Sequence, residues 1–229
     1  MTTGPPVLTP RLWRSRRAAA IAGIIFGVLL MAALAMSRIA LAEGGFEALK
    51  GDAQRRGLIR LSLNLVPFAG IAFLWFIGVL RDQLGAVEDR LFSSVFLGSG
   101  VLFLAMLFLG AVNATSLLGL LVGANPDLAL FAFGRSTTQV LISVYAMRMA
   151  AVFTLSVSTV GLRTAAVPRW VCYLGYLVGL TLMVAAARFQ WSQLVFPAWV
   201  LLVSLVLLMS RPASPDIDTT TSSQGTPPG

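Results

Sequence analysis

The sequence predicts an all-α protein, a polytopic bundle of about six membrane-spanning helices with both termini in the cytoplasm. Its 229 residues are 57% hydrophobic and 11% charged, and the mean hydropathy of +0.85 lies outside the range of soluble domains. Uncharged runs of about 20 residues recur along the chain, and a helix of that length crosses the roughly 30 Å hydrocarbon core of a bilayer. The net charge of +8 comes from basic residues at the ends of these runs. It therefore indicates membrane topology and anionic headgroups, and we expect no nucleic-acid partner.

Composition divides the chain into three parts. Residues 1–12 are rich in proline and threonine and predict a disordered tail. Residues 13–210 hold the six predicted spans, and residues 211–229, rich in serine, threonine and proline, predict a disordered cytoplasmic tail.

The first span, residues 18–36, follows a basic cluster and resembles a signal peptide, with a possible cleavage site at Ala40-Leu41-Ala42. Its apolar run is longer than a signal peptide needs, and Arg38 precedes the site. We therefore expect this helix to be retained. Ala19, Gly23 and Gly27 give it a small-residue face that another helix can approach closely.

A polar loop and a proline mark the next part of the chain. Residues 43–57 carry apolar side chains at helical spacing between charges, which predicts a short helix on the surface. In the second span, residues 58–80, Pro67 predicts a kink. The carbonyls that it frees beside Asn64 would form a polar pocket, although prolines in membrane helices are mostly structural.

The third span has no obvious end. Residues 91–124 are uncharged over roughly 50 Å of helix, which is too long for one crossing. We predict that the span ends near Val112. Residues 113–126 then form an apolar external turn, an interfacial helix or a re-entrant segment, and Asp127 caps the next helix.

The last three spans are predicted at residues 128–162, 170–187 and 194–209. The fifth carries Gly175-x-x-x-Gly179, a second small-residue face. With the N-terminus inside, four basic residues are clearly external: Lys50, Arg55, Arg56 and Arg188. Nine are cytoplasmic: Arg11, Arg14, Arg16, Arg17, Arg81, Arg90, Arg163, Arg169 and Arg211. This asymmetry predicts cytoplasmic termini.

Arg148 is a charge deep within an apolar run. It follows Arg135 by 13 residues, roughly 20 Å along a helix, so the two cannot share one headgroup layer. With Arg135 at the interface, we expect Arg148 inside the bundle near the midplane, where an ionisable residue is a functional candidate. No Asp or Glu lies within a predicted span, so its partners would be carbonyls, amides such as Asn64, hydroxyls or an anion from outside.

Arg148 therefore has two possible roles, hydrogen bonding within the bundle or binding of an anionic group. Arg148 lining a cavity would favour transport. Arg148 bonded in a closed bundle, or facing lipid near a headgroup, would favour a binding role.

A polar stripe is predicted along the fourth span within about 100° of the helical wheel. It consists of Ser136, Gln139, Ser143, Thr154 and Ser158. Ordinary hydrogen bonding between helices explains such a stripe. The alternative makes Gln139, with Arg148 and Asn64, a candidate for binding an anion or lipid.

Several kinds of chemistry lack their residues. Histidine is absent, and Cys172 is the only cysteine, which removes histidine bases, haem ligands and internal disulfides. The carboxylates of RDQLGAVEDR, residues 81–90, lack a metal-ligand spacing and are explained by ion pairing with the two arginines. With no activated nucleophile we predict no enzyme, no metal site and no cofactor.

The chain also resembles a family through several segments: FLWFIGVLRDQLGAVEDRLFSSVFLGSG (residues 73–100), YAMRMAAVF (145–153), VPRW (167–170) and VFPAWVLLVSL (195–205). On these segments it is similar to a bacterial, largely actinobacterial, family of uncharacterised multi-spanning membrane proteins. The resemblance covers roughly residues 14–209. It implies a helical protein of the bacterial plasma membrane and supplies no catalytic residue.

The leading hypothesis is a non-enzymatic integral membrane protein that binds lipid or a membrane-protein partner, including a second copy of itself. The alternative is a transporter or channel for an anionic or amphipathic solute, with Arg148 as the charge-selecting residue and the Pro67 kink as a moving element.

Overall fold

The computed structural model describes residues 9–41, 46–84, 90–122, 127–164, 167–185 and 191–209. This part of the chain is helical apart from short links and contains no strand, so the predicted all-α class is confirmed. The eight α-helices are α1 (Thr9–Leu41), α2 (Phe46–Gly51), α3 (Ala53–Leu84), α4 (Arg90–Val122), α5 (Leu128–Val140), α6 (Met147–Thr164), α7 (Arg169–Ala185) and α8 (Val195–Met209). A π-helical turn (Leu141–Ala146) joins α5 to α6, and a 3-10 turn (Ser192–Leu194) precedes α8.

Several predicted helix boundaries agree with this structure. The short helix expected within residues 43–57 is α2. The side chain of Asp127 caps α5 by accepting hydrogen bonds from the N–H groups of Ala129 and Leu130. The start of α1 differs from the prediction, since the helix begins at Thr9, inside the predicted tail. Proline is compatible with the first turn of a helix, where its missing N–H would have no partner, so the prolines of this tail do not prevent such a start.

The predicted end of the third span near Val112 is wrong. α4 continues without a break to Val122, so residues 113–122 form neither a turn nor a separate segment. Asn113, next to the predicted end, has partners on α5: its amide nitrogen donates to the carbonyl of Gly134 at 2.7 Å and to the hydroxyl of Thr138 at 2.8 Å. Its polarity is therefore satisfied within the bundle. Residues 123–126 lie outside the described part of the chain.

The fourth predicted span contains a π turn that the hydropathy pattern did not indicate. One extra residue in a turn changes the phase between the two halves of a helix, and the predicted polar stripe is divided accordingly. Ser143, Thr154 and Ser158 are buried, whereas Ser136 and Gln139 are exposed. The predicted stripe was wrong for Ser136 and Gln139, because the prediction assumed that the helix rotates by a uniform 100° per residue along its whole length.

Five described segments are long and apolar enough to cross a membrane. They are Arg17–Ala40, Ala53–Arg81, Ser94–Val122, Leu128–Arg163 and Ser192–Met209. A sixth apolar segment, Arg169–Val184 in α7, is shorter. These lengths and compositions identify a membrane protein.

Phenylalanine side chains from five helices fill the main core. The ring of Phe73 on α3 has its centroid 4.4 Å from that of Phe26 on α1, 5.3 Å from Phe103 on α4 and 5.2 Å from Phe153 on α6. Phe196 on α8 lies 4.9 Å from Phe103. All five side chains are fully buried, so α1, α3, α4, α6 and α8 converge on one aromatic centre.

Small residues allow the helices to approach closely, as the sequence predicted. A Cβ atom on Gly23 would lie 2.0 Å from the Ser204 hydroxyl, and one on Gly27 would lie 2.3 Å from Leu201, so α8 packs directly on the small face of α1. Gly175 places α7 equally close to Ser158 of α6. Because lipid is as apolar as the helices, such close packing is what stabilises the bundle.

A second, smaller core lies beyond one end of the main core, and we call this end of the bundle the α2 end. Its buried members are Ala40, Leu49, Ile59, Leu118, Leu121 and Phe131. Phe46 of α2 packs edge-to-face on Phe131 of α5, with ring centroids 5.2 Å apart. α2 thus covers the ends of α1, α3, α4 and α5.

Candidate binding cavity

A cavity of about 240 Å³, which we call the main cavity, lies at the α2 end between the two cores. Its wall is built by α1, α2, α3, α4 and α5, by the π turn and by Gln193 of the 3-10 turn. Most of its lining is apolar and includes Leu49, Ile59 and Phe131, all buried.

The rest of the lining of the main cavity is polar and positively charged. It presents Ser37, Arg38, Arg135, Thr138, Gln139, Ser143 and Gln193. Two arginines, Arg38 and the exposed Arg135, therefore line one space, and the described residues that line it include no carboxylate. Within the described part of the chain, neither Arg38 nor Arg135 forms an ion pair or hydrogen bond. Their charge is available to a ligand.

Of the three described acidic residues at this end, Glu47 is exposed on α2 and does not line the main cavity, and the other two are engaged elsewhere. Asp52 accepts hydrogen bonds from the backbone N–H groups of Arg55 and Gln54, and it pairs with the Arg55 side chain at 3.1 Å. The hydrogen bond from the Arg55 backbone N–H is the largest cause that lowers the pKa of the Asp52 carboxyl. Asp127 is held as the cap of α5. Neither lines the main cavity.

Hydrogen bonds fix the walls around the two arginines. The Gln193 amide donates to the buried Ser143 hydroxyl, which ties the 3-10 turn to the π turn. The hydroxyls of Ser37 and Ser62 lie 2.7 Å apart, which ties α1 to α3 beside Arg38. These bonds hold the walls of the cavity in place, which favours binding because little ordering is needed.

Arg56 holds α2 over the cavity. Its guanidinium donates to the carbonyl of Leu49 at 2.8 Å and to the carbonyl of Lys50, at the C-terminus of α2 where positive charge is favourable. This places Leu49 in the cavity wall.

The polar bonds also define a level along the helix axes. On α1, Arg17 and Ser37 are about 20 residues apart, and the same separation occurs on α3 between Ser62 and Arg81. It occurs again between Ser143, within the π turn, and Arg163 of α6. Each separation is roughly 30 Å along a helix. Three parts of the chain thus have a polar group at the level of the main cavity and an arginine roughly 30 Å away along the helix axis. Each of these arginines lies at the end of its helix opposite α2.

A second cavity of about 310 Å³, the side cavity, is a groove between α3 and α4 that opens on the outer surface. It is lined by Arg60, Leu63, Asn64, Thr115, Leu118, Gly119 and Val122. Of these, only Leu63 and Leu118 are shielded from the surface, and both also line the main cavity.

The three candidate residues from the sequence are separated by the fold. Gln139 lines the main cavity, and Asn64 lines the side cavity. Arg148 lines neither, and its side chain is exposed on the surface of α6. The prediction that Arg148 lies inside the bundle is wrong, because on α6 it occupies the face away from the buried Ala150 and Phe153.

Arg148 also lies closer to the level of the main cavity than it would if it were at the midplane of the membrane. It follows Ser143 by five residues, about 7 Å along the helix, and helical side chains point toward the N-terminus, here toward that level. A long arginine side chain can span this distance to a headgroup layer.

Sequence reasoning did not identify Arg38 and Arg135 as site residues. Both were assigned to membrane boundaries, and nothing in the sequence indicates that residues so far apart share a cavity. The only signal was that each stands at the end of an apolar run.

Comparison of the chain with protein-family models, curated proteins and solved structures found no significant match.

Proposed function

We propose that this chain is a six-span protein of the bacterial plasma membrane, with both termini cytoplasmic, that binds an anionic amphiphile in the main cavity without catalysing a reaction. The ligand class is a lipid with a phosphate or carboxylate head. The observation that carries this proposal is that two arginines, Arg38 and Arg135, line one cavity whose lining is otherwise mostly apolar.

The layer geometry supports the membrane placement. Arg17, Arg81 and Arg163 mark one face of a layer roughly 30 Å thick, the thickness of bilayer hydrocarbon. Nine basic residues are predicted on the side of Arg17, Arg81 and Arg163, and seven, counting Arg38, Arg60 and Arg135, on the side of the main cavity. This excess favours the cytoplasm on the first side and the outer interface, where lipid headgroups reside, at the main cavity. α7 spans the same layer with 17 residues, a length within the usual range for a transmembrane helix, which supports a sixth crossing.

The cavity chemistry supports the ligand class. An arginine fork matches the geometry of phosphate and carboxylate oxygens, and Gln139, Thr138 and Ser37 add neutral hydrogen-bonding groups. The main cavity is smaller than the ~300 to 1,000 Å³ of usual ligand pockets. It therefore suits a headgroup with the start of an acyl chain, and the rest of the chain would lie in the bilayer.

The exposed position of Arg148 bears on the transport alternative. That hypothesis depended on Arg148 as a charge-selecting residue within a pathway, and Arg148 lines neither described cavity. An arginine that faces lipid near a headgroup layer favours the binding role.

The test compares three variants of the full chain: Arg38→Gln, Arg135→Gln and the control Arg148→Gln. Native mass spectrometry after mild extraction would measure retained phosphatidylglycerol. A hydrogen bond to a charged group contributes about 1.5 to 3 kcal/mol, so each cavity variant should bind about 10- to 100-fold more weakly. The control should retain lipid like the wild type, because its side chain is outside both cavities.

Two further arms define the ligand. Phosphatidylcholine, whose head carries no net charge, should be retained less than phosphatidylglycerol. Glycerol 3-phosphate, which has an anionic head and no acyl chain, should compete only weakly. Equal loss of lipid in all three variants, or equal retention in all three, would contradict the proposal.

A further inference from the structure

We infer that the ligand of the main cavity enters sideways from the outer leaflet of the bilayer, through the side cavity between α3 and α4. This inference rests on the proposed function and deepens it, because it makes the ligand a membrane lipid and names its route.

The two cavities are neighbours with a thin partition. Leu63 of α3 and Leu118 of α4 line both, so these two side chains stand between them. Leu63 is half-buried, and Leu118 is 8% exposed and belongs to the small core at the α2 end. The two leucine side chains form no hydrogen bond or ion pair across the gap. Rotamer changes of these side chains can therefore open the partition.

The side cavity has the chemistry of a lipid entrance. Arg60 and Asn64, successive turns apart on α3, are exposed and place a charge and an amide at the groove. Arg60 is two residues from Ser62, at the level assigned to the outer interface. A headgroup would meet Arg60 first and Arg38 or Arg135 after passing the leucines.

The open space beside Gly119 supports the inference that an acyl chain occupies the groove. A Cβ atom at this position would meet nothing within 4 Å, and Gly119 itself lines the groove. Most other glycines of the bundle face a neighbouring helix, as Gly110 faces Ile142 at 2.8 Å. Gly119 instead leaves space for an acyl chain between α3 and α4.

This space allows an experiment that blocks the entrance without touching the main cavity. Gly119→Phe would fill the groove from a residue that does not line the main cavity, and no neighbour stands in the way of its Cβ. Gly98→Phe is the matched control, since Gly98 is also on α4, also has open space at Cβ and lines neither cavity. Melting curves of both variants would verify that the fold is intact.

The measurement is lipid exchange. Full-length protein loaded with deuterated phosphatidylglycerol is mixed with nanodiscs of unlabelled phosphatidylglycerol, and the mass of the bound lipid is followed over time. Gly119→Phe should slow exchange about tenfold, the effect of about 1.4 kcal/mol on the barrier, with equilibrium retention unchanged. Gly98→Phe should exchange at the wild-type rate.

The outcomes separate the two proposals. Wild-type exchange in Gly119→Phe, with lipid still retained through Arg38 and Arg135, would overturn the lateral route and leave the proposed function standing. Absence of bound phosphatidylglycerol from every form, wild type included, would overturn both.

Discussion

Replacing Gly175 by alanine should destabilise the protein, because α7 touches α6 and α8 at this residue. The new Cβ would lie 2.0 Å from the Ser158 hydroxyl and 3.0 Å from the Trp199 ring. Both neighbours are buried, and the Ser158 hydroxyl donates to the Thr154 carbonyl at 2.8 Å. Overpacking of this kind costs about 1 to 3 kcal/mol. The higher helix propensity of alanine offsets at most ~1 kcal/mol, so a net loss remains.

A double-mutant cycle isolates the contact. Ser158→Ala removes the hydroxyl, and Gly175→Ala should then cost less, with a coupling energy of about 0.5 kcal/mol or more. Gly78→Ala on α3 is the control, because its Cβ would meet nothing within 4 Å and only the propensity gain of about 0.5 to 1 kcal/mol applies. The assay is the free energy of unfolding in mixed micelles. If Gly175→Ala stabilised the protein as Gly78→Ala should, the close packing of α6 and α7 would be refuted.

Three further predictions test other parts of the structure. Arg148→Leu should leave the unfolding free energy within about 0.5 kcal/mol of wild type, since the exposed side chain has no bonded partner among the described residues. A large loss of stability would mean that Arg148 lies in the interior of the bundle. Asn113→Leu should lower that free energy by about 1 to 2 kcal/mol, because both of its hydrogen bonds to α5 are lost; an unchanged value would mean that α4 and α5 are not joined there. In a Cys172→Ala background, a cysteine at Ala53 should react with an impermeant thiol reagent from outside and one at Ser214 only after lysis, and the reverse pattern would invert the topology.

Hydropathy and helix periodicity predict most of the bundle because they are local properties. Each long apolar run became a helix, since backbone groups in lipid must be bonded within their own segment. Asp127 was recognisable as a cap from its place after Pro126, and Gly23 and Gly175 as contact points from their four-residue spacing with other small residues.

The cavity could not be predicted because it depends on packing between distant parts of the chain. Arg38 and Arg135 come from different helices, and only the fold brings them to one space. The π turn was equally hidden, because Leu141–Ala146 contains no proline or glycine that would mark an irregular turn. The length of α4 was misjudged because the prediction limited the span to the roughly 30 Å of bilayer hydrocarbon, whereas the helix continues to Val122.

The most direct test of the central claim is a high-resolution density map of the wild-type protein extracted from a bacterial membrane with its lipids. We predict an elongated density whose head lies within hydrogen-bonding distance of both Arg38 and Arg135 and whose tail follows the apolar wall past Leu63 toward the side cavity. A cavity that held only separate water molecules, with the two guanidinium groups turned toward bulk solvent, would contradict it.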